Sequence, residues 1–242
     1  VSIAATTSKT AKLWIGNGHR AGVIATFAQA TVRRRGEDVP RMTAFIIRPD
    51  MPGFHVGKKE AKLGLRASPT VQLHFENLRV PAGNMLGETN AGFVYAMQSL
   101  DNGRLGIAAQ AIGIARSALE HATRYAAERR QFNQPIKEFE AIQFKLADMA
   151  TRVTASRALL YSAAAAKDRG EPITQFSSMS KLFASETAMW VTTQAVQIFG
   201  GYGYVKDYPV ERLFRDAKVT EIYEGTSEIQ RIVIARELYA RS

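Results

Sequence analysis

The sequence contains no cysteine. Disulfides, thiolate nucleophiles and cysteine metal sites are therefore excluded, which fits a reducing compartment. No apolar run approaches the roughly 18 residues that a membrane span requires, so no membrane partner is expected. The opening VSIAATTSKTAKLW lacks the uninterrupted apolar stretch of a signal peptide. The closing ELYARS carries no retention or lipidation signal. Histidine is scarce: His19, His55, His74 and His121 show no metal-ligand spacing and no H-E-x-x-H occurs, so no metal is expected. A nucleophile elbow is also missing.

What remains is the composition of a water-soluble globular chain. Its 242 residues suffice for one large domain or two modest ones. Lysine and arginine exceed the acidic residues by 32 to 22, giving a formal charge of +10. Such a balance describes either a well-solvated basic surface or a surface facing a polyanion: nucleic acid, anionic lipid or a phosphate-rich small molecule. Composition does not choose among them.

Two kinds of patterning divide the chain. Residues 1–88 carry short apolar runs, Val23 to Gln29 and Thr43 to Ile47, and one alternating run in which Val71, Leu73 and Phe75 interleave with Gln72, His74 and Glu76. Period two predicts half-buried strands. Arg35-Gly36-Glu37-Asp38, Pro49 to Gly53 and Pro81 to Asn84 break the runs apart. From Thr89 the period lengthens: Phe93, Met97, Leu100, Leu105, Ile107, Ile112 and Leu119 recur every three to five residues in an alanine-rich stretch. A second helix is expected over about 137–168, with Phe139, Ile142, Leu146, Met149 and Val153 on one side. Arg169-Gly170-Glu171-Pro172 should stop it. A third runs to Phe199, where Gly200-Gly201-Tyr202-Gly203 ends it, and shorter ones cover about 210–218 and 226–239. The fold class is therefore α+β: an antiparallel β domain, 1–88, followed by an antiparallel, four-helix-type bundle, 89–242.

Several clusters could carry chemistry. Glu224 precedes the last helix, Thr226 is placed to cap it and Glu228 would lie in its first turn. Both acids could simply complement the helix dipole; a functional Glu224 would instead face a pocket, with Gly225 admitting a ligand to the backbone. Gln197-Ile198-Phe199-Gly200-Gly201 is either a helix end or a set of amides offered to phosphate, although it lacks the strand of a Rossmann motif. Arg129 ends a helix, where it complements the dipole or grips a pyrophosphate. Asp101 and Arg104 lie three apart; as a surface pair they would contribute about 0.3–0.5 kcal/mol.

The order and spacing of these segments resemble the acyl-CoA dehydrogenase family. Lys12-Leu13-Trp14-Ile15-Gly16-Asn17-Gly18 is similar to its K-x-W-I-T-N-G strand, and Lys62 to Thr70 with Phe75 to Pro81 to its K-x-G-x-R-x-S-x-T and F-x-x-V-x-V-P segment. Leu86-Gly87-Glu88, Gly92-Phe93, Leu100 to Arg104, Arg129 to Ile136, Ile142 to Met149, Gln197 to Gly203, Arg215 to Lys218 and Tyr223 to Glu237 continue the match. The resemblance implies the end of a middle β domain plus a helical bundle, without the family's N-terminal helical part or its T-E-P-x-x-G-S-D loop.

It also implies an activity. A saturated acyl-CoA would lose a proton from carbon 2 to Glu224 and a hydride from carbon 3 to the flavin of FAD, giving the trans-2-enoyl-CoA. Glu224 matches the catalytic base, and Asp101, Arg104 and Gly225 match substrate contacts. Trp14, Arg129, Phe132, Glu140, Gln197, Ile198, Phe199, Gly200, Gly201, Thr226 and Glu228 match residues that meet FAD. Some members carry the base on the first long helix, near the position of Gly103. Three positions depart from the pattern: Gly16 stands for Thr, Asn133 for Gly and Glu140 for Gln. The implied partners are an acyl-CoA, an electron-transfer flavoprotein and further subunits, as a dimer of dimers or a hetero-oligomer. Bacterial cytoplasm or mitochondrial matrix is the implied location. The alternatives are an acyl-CoA oxidase, a non-catalytic paralogue that binds nucleic acid, against which the retained Glu224 speaks, and an inactive half of a hetero-oligomer.

Overall fold

The computed structural model describes residues 3–6, 9–34 and 37–240. Two compact units emerge, Val1–Ser99 and Leu100–Ser242. The division falls about ten residues beyond the expected change at 88/89, inside the first long helix.

In the first unit every strand pairing is antiparallel. Strands β1 (Ile3–Thr6), β2 (Lys9–Gly16), β3 (Ile24–Arg34), β4 (Glu37–Ile47), β5 (Phe54–Lys59), β6 (Thr70–Glu76), β7 (Arg79–Pro81) and β8 (Met85–Leu86) form sheets ordered β2-β6-β5, β3-β4-β8 and β1-β7. The alternation in β6 does what period two requires: Val71, Leu73 and Phe75 are buried beside Phe54, Leu78 and Val80, while Glu76 faces out. Phe54 and Phe75 meet edge to face at 5.7 Å. Of the breaker at 35–38, Arg35 and Gly36 lie outside the described residues. The β2–β6 ladder bulges between Lys12 and Ile15, and Leu13 and Trp14 are both exposed there, with Trp14 at φ 62°.

Helix α1 is one continuous run, Gly92–Glu128, and a two-strand hairpin follows it, β9 (Arg130–Gln131) with β10 (Gln134–Pro135). Then come α2 (Glu140–Asp168), α3 (Thr174–Phe199), α4 (Val210–Lys218) and α5 (Ser227–Tyr239). The expected ends hold to within a few residues. Gly170, at φ 75°, closes α2: its N–H donates to Lys167 and that of Glu171 to Ala166, a Schellman pair.

The core of the helical unit is less bulky than the apolar spacing of α1 suggests. Ala108, Ala111, Ala115, Ala118, Ala122 and Ala126 are fully buried along one face of α1, whereas Phe93 and Met97 are exposed. Alanine lets backbones approach closely, and these small residues of α1 share one apolar cluster with Ala188, Val191 and Ala195 of α3. Met149 and Val153 of α2 are buried in that cluster, with Phe139, Ile142 and Leu146 packed against it as expected.

Candidate active site

The connection between α4 and α5 holds constrained backbone. Glu224 has φ 54° and Gly225 φ 86°, two left-handed residues in succession. An L-residue seldom holds that conformation unless its surroundings dictate it. Here they do. Gln230, fully buried on α5, donates from Nε2 to the carbonyls of Glu224 (3.1 Å) and Gly225 (2.9 Å). Lys181, fully buried on α3, donates from Nζ to the same Gly225 carbonyl at 2.7 Å. Thr226 caps α5 by accepting the N–H of Ile229. At Gly225 a Cβ would stand 2.7 Å from the Gln230 amide nitrogen, so both the turn and the contact call for glycine.

This turn aims the Glu224 carboxylate at α1. A Cβ at Gly103 would lie 2.5 Å from Glu224 Oε2 and 3.0 Å from its Cδ, so the half-buried carboxylate rests on bare helix backbone. Two turns further along the same face, the Tyr223 hydroxyl hydrogen-bonds Gln110 Oε1, and burial pushes that phenol up to about 12.

Asp101 and Arg104 are not the surface pair that their spacing alone allows. Arg104 donates to Asp101 at 2.7 Å with 6% and 19% of the two side chains exposed. Asp101 also accepts from Thr174 (2.8 Å) and Ser177 (3.4 Å), tying α1 to the start of α3. Arg104 Nε is buried with no hydrogen-bond partner among the described residues.

A second region lies at the far end of α1. An open groove of about 970 Å³ is lined by Arg129, Ile198, Phe199, Gly200 and Gly201, five of the expected cofactor residues, together with Tyr125, Tyr202 and Tyr208 among others. Tyr125 stacks on Phe199 at 4.0 Å, and the Arg129 guanidinium sits 5.4 Å over the Tyr202 ring. Gly200 and Gly201 have open space where a side chain would stand. A cation, free glycine backbone and aromatic walls suit an anionic ligand with a planar ring.

The other expected cofactor positions lie elsewhere. Gln197 is exposed and does not line the groove. Phe132 and Asn133 form the tip of the β9–β10 hairpin with φ 49° and 65°; Phe132 is 87% exposed and meets Phe139 edge to face. Asparagine tolerates this conformation among non-glycine residues, which accounts for Asn133 in a place where glycine is usual. Glu140 is exposed in the first turn of α2, where a negative charge complements the helix dipole. Thr226 and Glu228 line a separate cleft of about 220 Å³ with Lys218, Glu221 and Arg231, and the Thr226 hydroxyl holds the Glu228 carboxyl below its ordinary value. Trp14 belongs to the first unit.

Lys181 and Gln230 were not legible as site residues. A lysine amid Ser178-Met179-Ser180 and Leu182-Phe183 reads as an exposed helix position. The run of serines and threonines around it (Ser177, Ser178, Ser180, Ser185, Thr187), all of them buried, was the available signal of a small-residue face. Among the described residues no group of three or more acids and histidines could hold a metal, and no helix is long and apolar enough to cross a membrane.

Comparison with known proteins gives a consistent picture. A family model described as acyl-CoA dehydrogenase, C-terminal domain, matches residues 90–239, and one described as acyl-CoA dehydrogenase, middle domain, matches 8–78. An acyl-CoA dehydrogenase of Bacillus subtilis is 54% identical over 227 residues, covering 94% of this chain and 59% of that protein. The structure of butyryl-CoA dehydrogenase from Megasphaera elsdenii superposes with a TM-score of 0.90 at 48% identity, over 96% of this chain and 60% of that one. A chain in the structure of the electron transferring flavoprotein of Acidaminococcus fermentans gives the same TM-score and identity over 95% of this chain and 60% of its own. The chain thus spans about three-fifths of the length of the relatives it matches.

Proposed function

The chain belongs to the acyl-CoA dehydrogenase family, and on that premise we propose that it is the base-carrying part of an FAD-dependent enzyme that converts a saturated acyl-CoA to its trans-2-enoyl form. One observation carries the reading: a glutamate in a left-handed turn, fixed by two buried donors, with its carboxylate seated against side-chain-free helix at Gly103.

Glu224 is the group that takes the carbon-2 proton. The Glu224 N–H is the donor we assign to the thioester carbonyl, stabilising the charge that builds there as the proton leaves. Gly225 lets the thioester come close to the backbone, and Arg104, anchored on Asp101, is a substrate contact that we assign. FAD, when bound, supplies the two-electron oxidation by accepting the hydride from carbon 3, and the carbon 2–carbon 3 double bond forms as both hydrogens depart. Arg129 with Gly200 and Gly201 would hold the cofactor's anionic ADP half in the aromatic groove, where the residues fit such a group. Phe132, Glu140, Gln197, Thr226 and Glu228 would be further contacts of the cofactor that we assign on the family pattern. An electron-transfer flavoprotein is the acceptor we assign, supported by the likeness to a chain solved with that protein in Acidaminococcus fermentans, and the assembly is a dimer of dimers.

The test is the visible spectrum of the flavin-loaded protein on mixing with acyl-CoA. The wild type should bleach, and Glu224→Gln should bind the thioester yet bleach at least about a hundredfold more slowly. Bleaching of the variant at the wild-type rate would remove Glu224 from the reaction.

A further inference from the structure

The proton transfer assigned to Glu224 makes no use of Lys181, yet this lysine is the largest charged side chain sealed inside the helical unit, with no exposed surface. Among the described residues its one hydrogen bond runs to a carbonyl 44 residues away in sequence, that of Gly225. A buried ammonium is costly: burial lowers its pKa to about 8, opposed by Glu221, Glu224 and Glu228 and reinforced by Arg104. An apolar side chain of similar length would fill the same space without that cost. Packing therefore does not account for the charge, and the position of its partner does.

The Gly225 carbonyl receives two donors, Lys181 Nζ and Gln230 Nε2, and the same Gln230 nitrogen also reaches the Glu224 carbonyl. Two successive carbonyls are thus drawn inward toward α3 and α5. Because each peptide is planar, their directions orient the two peptide planes on either side of Gly225, and with them the turn that carries Glu224. Gln230 alone touches both carbonyls from within α5, the element that this turn begins. Lys181 is the donor that ties the turn to a different helix.

We propose that Lys181 is a positioning residue: by gripping the Gly225 carbonyl from the middle of α3, it holds Glu224 in its left-handed conformation with the carboxylate against Gly103. The inference rests on the reading of Glu224 as the base, but its consequence for the turn can be measured without any turnover. Lys181→Met keeps an unbranched side chain, one atom shorter, and removes the donor. Gly225 still accepts from Gln230, so no carbonyl is orphaned, and overall stability should be unchanged within ~2 °C in Tm or raised. Hydrogen exchange of the amides over 222–230 should rise by about tenfold or more, while those of α2 and of residues 188–198 stay as in the wild type. In flavin-loaded protein the bleaching rate should fall by about tenfold, with KM and flavin content within about twofold.

A uniform rise in exchange along the helical unit, or no rise at 222–230, overturns the proposal, because a lysine serving only the core would loosen the core. If Lys181→Met does not fold, the comparison is made on Lys181→Gln, whose shorter side chain is polar but stops short of the Gly225 carbonyl; a selective rise at 222–230 supports the proposal and a global one ends it. If exchange rises selectively while Glu224→Gln turns over normally, the turn is held by Lys181 and the base assignment is what fails.

Discussion

Glu224 Oε2 occupies the space in which a side chain on Gly103 would begin, 2.5 Å from the position of its Cβ. The two residues are separated by most of the helical unit in sequence, and the contact makes each restrict the other. Gly103→Ala should separate stability from activity. Alanine is favoured over glycine inside a helix by about 1 kcal/mol, so thermal unfolding should shift little or upward. The new methyl group must displace the carboxylate, and flavin bleaching by acyl-CoA should slow by about tenfold or more. Retention of full rate would show that the carboxylate works from another position.

The backbone at Glu224 gives a second separation. A non-glycine residue in the left-handed region is strained by about 1–2 kcal/mol, partly offset by the greater freedom that glycine gains when unfolded, about 0.5–1 kcal/mol. Glu224→Gly should therefore leave the unfolding free energy unchanged or raise it by up to about 1 kcal/mol, while abolishing bleaching. A clear loss of stability in denaturant titration would mean that the carboxylate contributes to folding, and that the turn is not strained for function.

Gly225→Ala moves in the other direction. Its φ of 86° disfavours a side chain, and the Cβ would press within 2.7 Å of Gln230 Nε2, the atom that bridges both carbonyls of the turn. Left-handed strain and a displaced buried amide together should cost about 1–3 kcal/mol. A shift of the chemical-denaturation midpoint at unchanged slope would report it.

Much of this arrangement was legible because it depends on local pattern. The alternation of Val71, Leu73 and Phe75 specifies a face of β6, and Arg169-Gly170-Glu171-Pro172 can only end a helix. Thr226 reads as a cap and is one. The residues around Glu224 were legible as a motif, and Arg129 with Gly200 and Gly201 as separate motifs that the fold then places in one groove. What was not legible depends on tertiary burial. Lysine at position 181 has the same local appearance whether it faces water or Gly225, and Asp101 with Arg104 looks like any surface pair until Thr174 is folded against it. The buried face of α1 escaped notice because alanine, being small, marks close packing only when the partner helix is known.

Lys181 also predicts a pH dependence. Its folded pKa of about 8 lies below the ordinary 10.5, so between those values the unfolded chain binds more protons than the folded one. Stability then rises with pH across that window, and the penalty is fully present below about pH 8. The full release is about 3 kcal/mol. Unfolding free energies measured from pH 7.5 to 10.5 should climb in the wild type relative to Lys181→Met, which has no proton to lose there. Parallel profiles would show that the ammonium is better solvated than its burial implies.

Arg129 stands at the edge of an aromatic groove whose backbone is open at Gly200 and Gly201. If that groove takes the ADP portion of FAD, the guanidinium supplies its cation, and its grip should be the strongest single polar contact there. A hydrogen bond to a charged group contributes about 1.5–3 kcal/mol, so Arg129→Met, which keeps a long apolar stem over Tyr202, should weaken ADP binding by about ten- to a hundredfold. ADP titrated by calorimetry into the chain and the variant reads this directly and does not need turnover. The contact is largely electrostatic, so the wild-type affinity should fall with added salt more steeply than that of the variant. Equal affinities at low salt would place the phosphates elsewhere and leave the groove to a different ligand.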